Sequence, residues 1–269
     1  MDEWGALFEA EVLPRMDPTS RAVLAQVNRA GRDAVRLPSD VACAGRTVVV
    51  KLKLVDFVGS AGRLAWAKQN GCPWVARTCA LVARGGDLDA LQWAREYRCP
   101  WDGRTWWHAA SGGHLDVVEW LITEGVDFNS TLAPLGTMPL YVAVENGHMD
   151  VVELLIAAPA VDVNKLCTAY SATPLHAAAQ NDNTDMVGLL LAAPGVDVNI
   201  ARASDGATPL FVAAFKGHLD VVERLIAAPG VDLNKARHNG TTPLSIALAR
   251  GHAAVAHRLR TAAASEPPV

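Results

Sequence analysis

The chain repeats itself along most of its length, and this periodicity constrains its fold more than any other feature. Pro139, Pro174 and Pro209 are each separated by 35 residues, and Pro243 follows 34 residues later. Segments that end in Ala-Ala-Pro recur at the same spacing. A period of about 20 to 50 residues is typical of solenoids, in which each unit packs only on its neighbours. The sequence therefore predicts a stack of similar structural units.

Residues 208–226 show what each unit contains. Thr208 can cap a helix, and Pro209 occupies its first position, where the missing N–H costs nothing. Gly217 can adopt the left-handed conformation that ends this helix. A second amphipathic helix follows, whose apolar stripe is formed by Val221, Val222, Leu225 and Ile226. Two such short helices cannot bury their own apolar faces, so they require neighbours of the same kind.

A shorter step of 27 residues precedes these units. Gly71-Cys72-Pro73-Trp74 recurs as Arg98-Cys99-Pro100-Trp101, and the first degenerate repeat begins near Lys51, with a helix expected over 52–58. Residues 41–50 are strand-like by propensity, but the repeat context favours a linker there. Trp106 stands where the longer units have proline; a core position is favoured, and exposure is the alternative.

The motif Thr173-Pro174-Leu175-His176-Ala177-Ala178-Ala179, the Gly-His corners and the Val-Asp-(Val or Leu)-Asn segments resemble ankyrin repeats. The resemblance covers residues 105–262, and residues 51–104 resemble a shorter Cys-Pro-Trp type of ankyrin-like repeat. It implies about seven repeats, each with a β-turn finger, an inner helix and an outer helix, stacked into a curved all-α solenoid. It also implies that the recurring His and Asp residues are structural, with His176 tying neighbouring fingers together.

The predicted organisation has five parts. They are an N-terminal helical unit (1–40), a linker (41–50), short repeats (51–104), full-length repeats (105–264) and a disordered tail (265–269).

The N-terminal unit resembles an F-box, the helical motif that docks substrate receptors onto the Skp1 subunit of a ubiquitin ligase. The residues that match are Phe8, Val12-Leu13, Met16-Asp17-Pro18, Ser20, Leu24, Val27-Asn28-Arg29 and Arg32. Three positions depart from the motif: Trp4-Gly5, Arg21 and Gly31. The alternative is a two-helix cap on the open end of the stack. As an F-box, residues 5–36 would dock Skp1 through Phe8, Val12, Leu13, Pro14, Leu24 and Val27.

Composition and residue spacing argue against several other classes of protein. The net charge of −4 and the lack of a basic block argue against nucleic-acid binding, and no apolar run reaches the length of a membrane span. Five cysteines do not suggest a disulfide framework, and their spacing does not fit structural zinc. Cys167, in a finger, is the cysteine expected to be most exposed. We expect no catalytic residues, cofactor or metal, and a cytoplasmic monomer, with the nucleus as the alternative compartment.

The remaining function is protein binding by a scaffold or adaptor. By the resemblance, the partner meets the finger tips and the exposed ends of the inner helices on the concave surface, which are the positions where this sequence stops repeating. The helix-end residues are Glu145, Asn146, Gln180, Asn181, Phe215, Lys216 and Arg250. The finger residues are Leu135, Ala169, Tyr170, Ser204, Asp205, His238 and Asn239. Phe215 is the expected anchor, and packing against a neighbouring repeat is its alternative role. The second function class is the substrate-recognition subunit of an SCF ubiquitin ligase.

Overall fold

A computed structural model describes residues 41–43, 46–48, 61, 64, 75–125, 136–158 and 161–265. The proposed F-box-like unit (1–40), the expected helix over 52–58 and Leu135 therefore lie outside the described residues. The chain divides into two compact units, residues 1–101 and 102–269.

The first unit contains a short antiparallel hairpin and a pair of helices. Strand β1 (Val41–Cys43) pairs with β2 (Arg46–Val48), with Ala42 opposite Thr47. The expectation that repeat context would override strand propensity here is wrong, because local β-branched residues form a hairpin within the segment assigned to a linker. Helices α1 (Ala76–Gly85) and α2 (Leu88–Glu96) follow and pack on each other.

The second unit is built from helix pairs. Its inner helices are α3 (Gly103–Gly112), α5 (Pro139–Asn146), α7 (Pro174–Gln180), α9 (Pro209–Lys216) and α11 (Pro243–Arg250). Its outer helices are α4 (Leu115–Thr123), α6 (Met149–Ala157), α8 (Thr184–Leu191), α10 (Leu219–Ile226) and α12 (Ala253–Ser265). Each inner helix packs against its own outer helix, and consecutive inner helices pack against each other. The all-α solenoid predicted from the sequence is confirmed.

Local sequence explains where the helices begin and end. Pro209 is at the first turn of α9, and the Thr208 hydroxyl accepts a hydrogen bond from the Phe211 N–H at 3.2 Å. Gly217 ends the same helix at φ 85°, a left-handed conformation that glycine adopts without steric cost. At the matching corner after α7, Asp182 takes the left-handed position at φ 59° and the Asn183 side chain caps α8 through the Met186 N–H. Asp182 and Asn183 therefore replace the usual Gly-His pair at that corner, but the left-handed conformation and the start of the next helix are retained.

The core lies between the two helix rows. Small residues on the inner helices, such as Ala110, Ala143 and Ala214, are fully buried and let neighbouring helices approach closely. The outer helices contribute the larger apolar side chains, including Val118, Leu155, Met186, Val222 and Leu259. Trp106 is also completely buried, so it belongs to the core. Helix α12 extends to Ser265, a residue the sequence assigned to the tail.

Candidate functional site

The predicted binding positions lie at two places in the second unit, the tips of the fingers and the C-terminal ends of the inner helices. We call these positions together the inner surface. Those that are exposed are Glu145, Asn146, Ala169, Tyr170, Gln180, Asn181, Ser204, Lys216, His238, Asn239 and Arg250. Asp205 and Phe215 are partly buried. The inner surface therefore combines fully exposed residues with two that are held by neighbours.

The fingers are closed by the same backbone bond in three successive repeats. The N–H groups of Cys167, Arg202 and Arg237 donate to Ala172, Ala207 and Thr241 across each turn, at 2.8 to 2.9 Å. Backbone bonds also join fingers at two junctions: the Thr168 N–H donates to the Gly136 carbonyl at 3.0 Å, and the His238 N–H donates to the Asp205 carbonyl at 3.1 Å. Finger side chains are therefore presented by closed turns that are held to their neighbours at these junctions.

Two asparagines among the predicted binding residues also hold repeats together. The Asn181 side chain donates to the Glu145 carbonyl at 3.0 Å, which joins the ends of α5 and α7. Asn146 donates to the Ser111 hydroxyl of the preceding inner helix at 3.5 Å and to the Val142 carbonyl of its own helix at 2.8 Å. These side-chain amides have structural acceptors, so they are less available to a partner than their exposure suggests.

A pair of tyrosines occupies the inner surface at α5. The ring of Tyr170, a finger residue that is 54% exposed, stacks on Tyr141 with centroids 5.7 Å apart. Tyr141 is almost completely buried, and this burial raises its pKa far above the ordinary value. Partial burial also raises the pKa of Glu145 one turn later. Tyr141 was missed from the sequence, although its signal is present: it replaces the histidine of the repeat at the position of His176.

A charged cluster links two fingers further along the chain. Arg202 contacts Asp205 through two nitrogens, at 3.1 and 2.7 Å, and Arg237 reaches the same carboxylate at 2.9 Å. Burial alone would raise the pKa of Asp205, but hydrogen bonds from Arg202 and the charges of both arginines hold it below its usual value. Neither arginine was predicted. The available signal was that both occupy the finger position of Cys167, in two successive repeats.

Phe215 is neither free nor fully packed. Its ring lies against a small buried cluster of Ala207, Phe211 and Val212, and Arg250 covers it with its guanidinium carbon 4.0 Å from the ring centroid. A second arginine, Arg237, lies 5.0 Å over the ring of Phe211. Packing against a neighbouring repeat, the alternative considered for Phe215, is therefore present, and its role as a binding anchor stays a prediction.

The recurring histidines hold neighbouring repeats together. The Nε2 atoms of His148, His218 and His252 bond to carbonyls of the preceding inner helix, at 3.0 to 3.2 Å. His176 is 2% exposed, and its Nδ1 accepts from the Thr173 N–H at 3.2 Å. Its Nε2 must then carry the proton, which it donates to the Ala207 carbonyl in the next finger at 2.9 Å. The predicted tie between fingers is confirmed at this residue.

The three cysteines whose side chains the structure describes, Cys79, Cys99 and Cys167, are buried. Cys167 is fully buried, so the expectation that it would be the most exposed cysteine is wrong; it lies at the base of the turn that its own N–H closes by bonding to the Ala172 carbonyl. Cys99 donates through its thiol to the Val75 carbonyl at 3.7 Å, and a hydrogen bond from Cys79 lowers its pKa. Among the described residues, no group of three or more His, Cys, Asp or Glu side chains is arranged to hold a metal. In the same part of the chain, no helix is long and apolar enough to cross a membrane.

Comparison with known families identifies the origin of this architecture. A family model described as ankyrin repeats (3 copies) matches residues 105–202 and 191–266. These two ranges contain every inner helix from Pro139 to Arg250 and all of the described inner surface. No curated protein matches the chain.

Proposed function

The chain belongs to the ankyrin-repeat family, and from this premise we propose that it is a non-catalytic scaffold or adaptor whose protein partner binds the inner surface. Ankyrin repeats are protein–protein interaction modules, and the family match covers more than half of the residues. The family match supports an interaction role; the binding of a partner to this surface, and the residues it contacts, are our proposal.

One observation supports the location of the proposed binding site. The residues that depart from the repeat are concentrated on the fingers and inner-helix ends, and most of them are exposed. Folding explains the repeated residues, since their caps and inter-repeat hydrogen bonds recur at the repeat spacing. Exposed residues that folding does not require are the ones available to recognise a partner.

Site-specific photocrosslinking in cells tests this location. A crosslinking amino acid placed at Tyr170, Gln180 or Lys216 should capture the partner. The same amino acid at Glu119, Glu153 or Glu223, exposed positions on the outer helices, should capture much less. Capture mainly from the outer positions would place the interaction on the opposite row and contradict the proposal.

A substitution then measures the contribution of one residue. Tyr170→Ala removes a ring that is 54% exposed but stacks on Tyr141, so we expect a stability loss of only about 1 kcal/mol, from the lost aromatic contact. Binding of the captured partner should weaken by at least about fivefold, as for an interface residue worth more than about 1 kcal/mol. Glu153→Ala serves as the matched control, because this exposed residue lies on outer helix α6.

The F-box resemblance supports a second function, that of a substrate-recruiting subunit of a ubiquitin ligase. It rests on the sequence of residues 1–40 alone, which lie outside the described residues. Co-purification of the full chain with Skp1, compared with a Leu13→Asp and Leu24→Asp double variant, tests it. Absence of wild-type binding at micromolar concentration would leave the N-terminal unit as a cap.

A further inference from the structure

The C-terminal half of the inner surface carries a contiguous strip of arginines and phenylalanines. We define the Arg–Phe strip as Arg202, Asp205, Phe211, Phe215, Arg237 and Arg250. Its members are joined by contacts: Arg202 and Arg237 share Asp205, Arg237 covers Phe211, and Phe215 packs beside Phe211 under Arg250. The strip thus connects two fingers with two inner helices.

The charges on the strip do not balance. One carboxylate, Asp205, faces two guanidinium groups, and Arg250 stands over an aromatic ring. Lys216, which is exposed at the end of α9, adds another cation beside Phe215. The chain as a whole has a net charge of −4, so this local excess of positive charge opposes the overall balance. Such a patch attracts and orients anionic groups on a partner.

The arginines are also held in place. A guanidinium that stacks on an aromatic ring loses little further freedom when it binds, and its N–H groups remain directed along its edge toward acceptors. Arg237 is fixed both by Phe211 and by Asp205. Its side chain is nevertheless 27% exposed, as is 26% of Arg202, so both remain accessible. Preorganised arginines favour planar, bidentate acceptors such as carboxylates.

We propose that the Arg–Phe strip binds an acidic segment of the partner protein, in which Asp and Glu side chains pair with Arg202, Arg237 and Arg250. An apolar residue of that segment packs on the accessible edge of Phe215. This inference rests on the proposed function, because it names the chemistry of the partner at the same surface. Phosphate groups of a nucleic acid would also suit arginine, but the negative overall charge and the short extent of the strip favour a peptide.

A peptide-display selection on the immobilised full-length chain tests the chemistry without knowledge of the partner. We expect the selected peptides to be enriched in Asp and Glu relative to the starting library. Fluorescence polarisation of the best peptide then gives its Kd for each variant. We expect Arg237→Gln with Arg250→Gln to raise this Kd about tenfold, and salt to weaken binding as ion pairs are screened.

Two controls separate charge at the strip from charge in general. Arg224→Gln with Arg260→Gln makes the same change in net charge on outer helices α10 and α12, and it should leave Kd nearly unchanged. Thermal denaturation checks that each variant folds. If loss of Arg237 destabilises the fingers, Arg250→Glu alone is used, and it should restore binding to a peptide in which only the acidic residue that pairs with Arg250 is replaced by lysine.

The alternative outcomes are distinct. The selected peptides could be neutral or basic, keep the same Kd with Arg250→Gln and bind more weakly to Tyr170→Ala. That result would overturn the proposal of an acidic partner but support binding at the inner surface. Peptides insensitive to both substitutions, or no selected peptide, would overturn both proposals. Tighter binding of a labelled single-stranded RNA than of the acidic peptides would replace the peptide with a nucleic acid.

Discussion

At the scale of single residues, the most informative side chain is His176. Its ring is buried, accepts from Thr173 and donates to Ala207, so it is held neutral with one defined tautomer. Burial lowers its pKa from 6.5 to about 4, despite the opposing effect of the Ala207 carbonyl. The repeat motif places the histidine here, but the low pKa arises because the next finger covers the ring.

We predict that His176 makes stability depend on pH. Because the folded-state pKa is the lower one, the unfolded chain binds the proton more readily, and the contribution of His176 is complete above pH 6.5 and lost toward pH 4. The loss is at most about 3 kcal/mol. Urea unfolding of the wild type and of His176→Phe, which copies Phe211 at the same repeat position, should show a stability difference that changes over this range. Parallel pH curves would contradict the prediction.

At the scale of structural elements, the fingers depend on one backbone position. Gly136, Ser171, Gly206 and Gly240 occupy it in successive fingers, and all four have positive φ. A Cβ atom at Gly206 would lie 2.9 Å from the backbone nitrogen of His238, in the following finger. At Gly240, in the last finger, nothing lies within 4 Å of such an atom. The two glycines therefore share a conformation but differ in their surroundings.

We predict that Gly206→Ala destabilises the protein more than Gly240→Ala does. Both substitutions force alanine into the left-handed region, at a cost of about 1 to 2 kcal/mol. Only Gly206→Ala also displaces the neighbouring finger, which should add at least about 1 kcal/mol. Chemical denaturation of the two variants measures the difference in unfolding free energy. Equal losses would show that the fingers are not tightly stacked.

At the scale of the whole stack of repeats, the side chains of recurring asparagines form hydrogen bonds between one repeat and the next. The Asn199 side chain donates to the Gly230 carbonyl at 2.7 Å and accepts from the Asp232 N–H at 2.8 Å. Asn164 makes the equivalent pair of bonds with Gly195 and Asp197 one repeat earlier. Asn234 occupies the same position in the last described finger.

We predict that Asn199→Ala weakens the coupling between repeats. Loss of two hydrogen bonds should lower the unfolding free energy by about 1 to 2 kcal/mol and make the transition less cooperative. Asn234→Ala is the matched control and should cost less than about 0.5 kcal/mol. Equilibrium denaturation followed by circular dichroism provides both quantities. A similar loss in both variants would assign the effect to each local turn instead of to coupling.

The sequence by itself determined the family, the helix pairs and their boundaries, because caps, corner glycines and apolar stripes act over a few residues and recur at a regular spacing. Tertiary structure decided which of the non-repeating residues are available. Tyr141 is buried under Tyr170, Cys167 lies inside its finger, and Arg250 covers Phe215. The partners of these side chains come from other elements, in some cases a full repeat away. Exposure depends on those contacts, so it could not be read from local sequence, even though departure from the repeat predicts which positions belong to the site.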